Sequence, residues 1–220
     1  MGRGRAGRGP GGGRRAGALL LVVSGPGGAG KSTLCRRLVA AGRGLALSIS
    51  ATTRRPRRGE VEGRHYFFMS RERFRRDVAA GRFAEHAEVA GELYGTPRAF
   101  LEAKLAAGAD VLLDIDVRGA EQVRRVYGAR AVTVFVLPPD GRTLLRRLRG
   151  RGTDSEERVA RRMRLAKREI AAARRGGYDY LVINDRLPDA VRDLAAIRRS
   201  EHSRVAREGS SSAWALRTWT

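Results

Sequence analysis

Residues 19–33 read Leu-Leu-Leu-Val-Val-Ser-Gly-Pro-Gly-Gly-Ala-Gly-Lys-Ser-Thr, an apolar run that stops at a glycine-rich turn and a Lys-Ser pair. A continuous apolar stretch of this kind reads as a strand buried on both faces, inside a parallel sheet with helices on each side. The spacing Gly25-x-x-x-x-Gly30-Lys31-Ser32 is that of a phosphate-binding loop. Gly25, Gly27, Gly28 and Gly30 carry no Cβ, so the backbone from Gly25 through Pro26 and Ala29 to Gly30 can curl and aim its N–H groups at one anion. Lys31 then reaches the β- and γ-phosphates of a nucleotide, and the Ser32 hydroxyl is placed to ligate Mg2+. The helix that carries Ser32 and Thr33 adds the positive end of its dipole. The chain has 42 arginines and only three lysines, Lys31, Lys104 and Lys167. A lysine at the position where the motif demands one is therefore poorly explained by composition.

The pattern along the chain extends this start into an α/β fold of the phosphate-loop NTPase type, a parallel sheet core flanked by helices. Ala18–Ser24, Leu45–Ser50, Val111–Asp116, Ala131–Leu137 and Tyr180–Ile183 read as strands. Helical spacing predicts helices over 31–41, 99–107 and 188–199. A further helix follows Asp140 as N-cap, and a long one opens at Ser155 and runs to about Arg175. Residues 1–17, with eight glycines and five arginines, cannot bury apolar surface and read as a disordered arm. Residues 200–220, polar and serine-rich, read as a flexible tail that holds both tryptophans, Trp214 and Trp219.

A formal net charge of +22 invites a nucleic-acid reading. The arginines, however, are scattered along helical stretches among Ala, Leu and Glu, and only 6% of the residues are aromatic, too few to interleave a basic face with stacking platforms. No specific nucleic-acid partner is expected. Cys35 is the only cysteine, so no internal disulfide forms and a reducing compartment is the natural setting. No apolar stretch approaches the ~20 residues of a membrane span, and the basic N-terminus has no apolar core before Ala18. The expectation is a cytoplasmic protein without a membrane partner.

Residues 48–70 gather hydroxyls, arginines and a tyrosine with almost no apolar periodicity. Forked guanidiniums converging on one place suit a second phosphate. Spacing alone leaves that reading level with an arginine-rich surface loop. The string Ser-x-Ser-x-Thr-Thr-Arg-x-Pro-Arg-x-Gly-Glu-x-x-Gly-x-x-Tyr-x-Phe, placed after Gly-Pro-x-Gly-x-Gly-Lys-Ser-Thr, closely resembles the guanylate kinase family. The resemblance continues in order through Phe83-Ala-Glu85, Tyr94-Gly-Thr96-Pro97, Leu113-Asp114-Ile-Asp116-x-x-Gly119, Arg147-Leu-x-x-Arg151-Gly-Thr153, Arg162 and Ile183-Asn184-Asp185, covering roughly residues 18–199.

That resemblance implies transfer of the γ-phosphoryl of ATP to GMP, and use of dGMP, with Mg2+ accompanying ATP. It implies a GMP-binding insertion over about 50–96 and an arginine lid over about 146–162. Arg54, Arg57, Tyr66 and Tyr94 match the family's ligands of the GMP phosphate. Glu85 matches the carboxylate that accepts from guanine N1–H and the exocyclic amine, with Ser50 and Thr96 as hydroxyls at the base. Asp114 and Asp116 match an Asp-x-Asp pair, one acid near the metal and one near the guanine nucleotide. Arg147, Arg151 and Arg162, with Lys31, match the cationic groups around the transferring phosphoryl, and Asn184 matches an adenine contact. The chain departs from the family pattern at Gly27, where serine is usual, and at Arg118, where glutamine is usual. His65 and His86 stand beside matched positions without a role.

Overall fold

The structure, a computed structural model, describes residues 17–89, 91–150 and 155–204. The first half of the chain runs β1 (Leu20–Ser24), α1 (Lys31–Ala41), β2 (Leu45–Leu47), β3 (Ala51–Thr52), β4 (Phe67–Phe68), α2 (Arg71–Ala79), β5 (Phe83–Val89), β6 (Glu92–Pro97) and α3 (Arg98–Ala106). The second runs β7 (Asp110–Asp114), α4 (Val117–Tyr127), β8 (Ala131–Leu137), α5 (Gly141–Arg149), α6 (Glu156–Arg174), β9 (Tyr180–Ile183) and α7 (Leu187–His202).

The central sheet has the order β2-β7-β1-β8-β9 and is parallel throughout. Alternation divides β1 between two cores. Leu19, Leu21 and Val23 face α1 and α7, packing with Leu34, Leu38, Val134, Val182 and Leu194. Leu20 and Val22 face α3 and α4, packing with Leu101, Val111, Leu113 and Val123. Covering both faces is what lets β1 be buried at every position, as its apolar run requires.

Between β2 and α3 the chain builds a second sheet, β4-β3-β6-β5, in which β6 pairs antiparallel with both neighbours. It has its own small core of Ala51, Phe74 and Phe83, the two rings stacked at 4.5 Å. Helix α4 of the main body meets the edge of this sheet. There the Gln122 side chain donates to the His86 carbonyl at 3.0 Å and accepts from the His86 N–H at 3.1 Å. A side-chain amide thus occupies the strand edge that would otherwise stay open.

Several boundaries differ from the sequence expectations. The strand read as Leu45–Ser50 ends at Leu47, and the strand read as Val111–Asp116 spans Asp110–Asp114. The reason for the second lies in Asp116, whose carboxylate accepts from the Gly119 N–H at 2.7 Å and caps α4 instead of continuing β7. Asp140 and Ser155 cap α5 and α6, as their positions in the sequence indicate. Helix α2 was not legible: among its arginines only Phe74 and Asp77 are buried.

The far end of the sheet is tied to α7 through Asp110, which is buried. Its Oδ1 accepts from the Leu19 N–H at 2.9 Å, and its Oδ2 accepts from Arg198 Nε at 2.6 Å and lies 2.8 Å from His202 Nε2. Burial alone would raise this carboxyl, but the Leu19 N–H, His202 and Arg198 outweigh it and hold Asp110 below the usual carboxylate range. A carboxyl depressed in the folded state contributes stability that is present above its unfolded pKa, about 3.9, and is lost as pH falls through the folded value. Asp110→Asn is expected to cost roughly 2–4 kcal/mol at pH 7, because Arg198 loses its charged partner. It should also flatten the acid limb of stability against pH. Urea unfolding of both proteins across pH checks this, and a variant with the wild-type midpoint contradicts it.

Candidate active site

The phosphate loop occupies residues 25–30, between the end of β1 and the start of α1. Gly25 has φ +141°, and a Cβ there would stand 2.2 Å from the Val136 carbonyl oxygen of β8, so only glycine fits. At Gly30 a Cβ would come within 2.4 Å of Asn184 Nδ2. That amide is buried and donates to the Ala29 carbonyl at 2.8 Å, bracing the loop from the end of β9. Asn184, matched in the sequence to an adenine contact, thus holds the loop itself.

Lys31 opens α1, and its Nζ donates to the Gly25 carbonyl at 2.5 Å and to the Pro26 carbonyl at 3.3 Å, folded back over the loop. Ser32 Oγ donates to Asp114 Oδ2 across the strand ends. Ser32, placed for Mg2+ by the motif, and Asp114 of the Asp-x-Asp pair are therefore brought together. One hydroxyl and one carboxylate suit Mg2+, which keeps several waters and takes its other ligands from substrate phosphates. Cys35 is buried in α1, and burial first, then Asp114, pushes its thiol up, so it packs and does not react.

A second group of matched residues lies on and beside the small sheet. Glu85 on β5 is buried, and its Oε1 accepts from the Thr96 hydroxyl of β6 at 2.6 Å. Burial, partly offset by Thr96 and reinforced by Asp116, pushes its carboxyl up to about 7. The close approach of Glu85 and Asp116 is visible at Gly119, where a Cβ would lie 2.9 Å from Glu85 Oε2 and 3.3 Å from Asp116 Oδ1. Tyr66 and Tyr94 meet edge to face at 6.0 Å, and the Arg54 guanidinium lies 5.4 Å from the Tyr66 ring centre. Arg57 is exposed on the same loop, and Ser50 is half-buried just before β3.

Sequence reasoning gave Glu60 no part. Its carboxylate takes Arg54 Nη2 on both oxygens, at 2.8 and 2.9 Å, and accepts from the Arg57 N–H at 2.8 Å. The pairing with Glu60 raises the Arg54 guanidinium and holds the loop's fork in place. Its place in the Gly-Glu step of the arginine-rich string was the available signal.

Arg147 of α5 is bonded to the backbone just after β9. Its Nη2 donates to the Asn184 carbonyl at 2.9 Å and, longer, to that of Asp185, while Nη1 is buried without a partner. Arg162 is half-buried on α6. Arg151 lies outside the described residues, as do Trp214 and Trp219 and all of the N-terminal arm but Gly17.

A parallel sheet whose first strand feeds a glycine loop and a helix N-terminus, with serine and aspartate paired across the strand ends, defines a phosphate-loop nucleotide-binding protein. The model of the guanylate kinase family matches residues 18–201. The guanylate kinase of Symbiobacterium thermophilum is 49% identical over 194 residues, covering 88% of this chain and 90% of its own, and that of Anaeromyxobacter dehalogenans is 52% identical over 188 residues, covering 86% and 83%. The crystal structure of guanylate kinase from Anaplasma phagocytophilum superposes with a TM-score of 0.70 at 32% identity, covering 89% of this chain and 92% of that one. The chain belongs to the guanylate kinase family.

Removing the Asn184 brace leaves the Ala29 carbonyl without its partner. Asn184→Ala is expected to lower the stability of the ligand-free protein by about 1–3 kcal/mol, read by urea unfolding. An unchanged midpoint with only ATP affinity lost would instead return Asn184 to direct nucleotide contact.

Proposed function

We propose that this protein transfers the γ-phosphoryl of ATP to GMP, and to dGMP, releasing ADP and the guanosine diphosphate. The observation that carries this reading is Glu85, a buried carboxylate bonded to Thr96 and set beside Asp116, two residues along the chain from the Asp114 that meets Ser32. An acceptor built into the small sheet is thereby linked to the phosphate loop by one turn. Guanine presents an N1–H and an exocyclic amine as adjacent donors to such a carboxylate, and adenine lacks that donor pair.

In this reading residues 50–96 form the GMP-binding insertion. Arg54 and Arg57, with the Tyr66 and Tyr94 hydroxyls, hold the GMP phosphate while leaving one oxygen free, and Ser50 and Thr96 serve the base beside Glu85 and Asp116. The loop N–H groups hold the ATP phosphates, and Ser32 and Asp114 would hold Mg2+, which would neutralise charge on the β- and γ-phosphates. A GMP phosphate oxygen attacks the γ-phosphorus in line, the bond to the β-phosphate oxygen breaks, and ADP leaves with that oxygen. Lys31, with Arg147, Arg151 and Arg162 of a lid over 146–162, supplies positive charge where the phosphoryl group carries its negative charge. Closure of the lid excludes water, which would otherwise divert ATP to hydrolysis. The cytoplasm is the setting this reading proposes, supported by nucleotide substrates and a single cysteine.

The test is ADP production from Mg-ATP with GMP, AMP, CMP, UMP and dTMP offered separately, for wild type and Glu85→Gln. Wild type should turn over GMP alone, and Glu85→Gln should lose roughly a hundredfold in kcat/KM for GMP, the scale of a charged hydrogen bond of about 1.5–3 kcal/mol. Equal turnover with every acceptor, or a Glu85→Gln variant that selects GMP as wild type does, would overturn the assignment.

A further inference from the structure

On α6 the residues Val159, Arg162, Ala166 and Glu169 recur at spacings of three and four and so share one face. Val159 and Ala166 are buried there against Leu144 and Leu148 of α5, which fixes that face as the inward one. Glu169 therefore projects inward two turns beyond Arg162. Its Oε2 is buried and has no hydrogen-bond partner. The charged groups that act on it are Lys31 at the head of α1 and Asp116 at the head of α4, against which α6 packs. The neighbouring phenol of Tyr178, on the loop between α6 and β9, also feels Glu169 and Asp116. Burial pushes the Glu169 carboxyl up, Lys31 opposes this, and Asp116 adds to it.

A buried carboxylate oxygen without a partner costs stability, and an amide or an apolar side chain of the same size would pack at less cost. Packing therefore gives no reason for an acid here. Lys31 supplies one. Its ammonium now sits on the Gly25 and Pro26 carbonyls of its own loop and has to leave them to meet nucleotide phosphates. Three N–H donors on one nitrogen allow it to bond phosphate oxygens and a carboxylate at once.

We propose that Glu169 is a positioning residue for Lys31: as α6 settles over bound nucleotide, its carboxylate takes the ammonium from the loop carbonyls and holds it against the phosphoryl group in transfer. This rests on the phosphoryl-transfer reading above and adds to it a residue that neither the motif nor the family resemblance singled out. Glu169 works through Lys31 and does not itself touch the substrates. Its effect therefore falls on kcat rather than on GMP binding.

The test compares wild type, Glu169→Gln and Glu169→Asp in steady-state kinetics with Mg-ATP and GMP, together with thermal melts of the ligand-free proteins. Glu169→Gln is expected to lose roughly ten- to a hundredfold in kcat, with KM for GMP unchanged within about threefold and a melting midpoint equal to or above that of wild type. Glu169→Asp, which keeps the charge on a shorter stem, should retain more kcat than Glu169→Gln. Wild-type kcat in Glu169→Gln, or a loss of kcat that comes with a lowered midpoint, overturns the proposal. Failure of the wild type itself to phosphorylate GMP overturns the underlying reading, and shows in the control alone.

Discussion

Asp114 and Asp116 stand on either side of Ile115, where the central sheet hands over to α4, and this one turn couples the two halves of the site. Asp114 closes β7 and accepts from Ser32 at the head of α1, while Asp116 caps α4 and approaches Glu85 on the small sheet. Strand β7 is locked in parallel register between β1 and β2, so the turn has little freedom. A displacement of α4 would disturb the capping bond, the Glu85 environment and the Gln122 pairing with His86 together. The geometry between the phosphate loop and Glu85 is in this sense set by the backbone of the core.

The electrostatics follow the same division. Several of the arginines form exposed pairs, such as Arg125 with Glu121 and Arg149 with Glu156, which contribute little to stability. The pairs that matter for the site are those whose geometry is fixed before substrate arrives. Glu60 grips Arg54 on both oxygens, so the guanidinium pays little ordering entropy on meeting a phosphate. Glu85 is the reverse case, a buried acid with one hydroxyl partner and a second carboxylate beside it. Its position near 7 means that the empty site relieves the burden of a buried charge by binding a proton near neutral pH.

Much of this was legible in the sequence, for identifiable reasons. The apolar run of β1 and the glycine spacing that follows state a chemical demand directly, and Asp140 and Ser155 mark helix starts by a local bond that needs no tertiary context. The proposed base site was readable only as an ordered resemblance, since Glu85 and Thr96 meet through hairpin pairing of β5 with β6 across 11 positions of chain. Three features were not readable. Asp116 ends its strand early because it caps a helix, and its position inside an apolar run masked that role. Asn184 bonds the loop at Ala29, and Arg147 bonds the Asn184 carbonyl, both across long sequence separations that no local pattern encodes. Helix α2 hides its single buried ring among arginines.

The account turns on a carboxylate form of Glu85 reading guanine, so the most direct test is the pH dependence of kcat/KM for GMP in wild type and Glu85→Gln. That quantity reports ionisations of the free enzyme. Because the Glu85 carboxyl is raised to about 7, its acceptor form is lost as pH falls through neutrality. Wild type should therefore lose efficiency below about pH 7 along a limb that is absent from the variant. Parallel profiles for the two proteins would contradict the central claim.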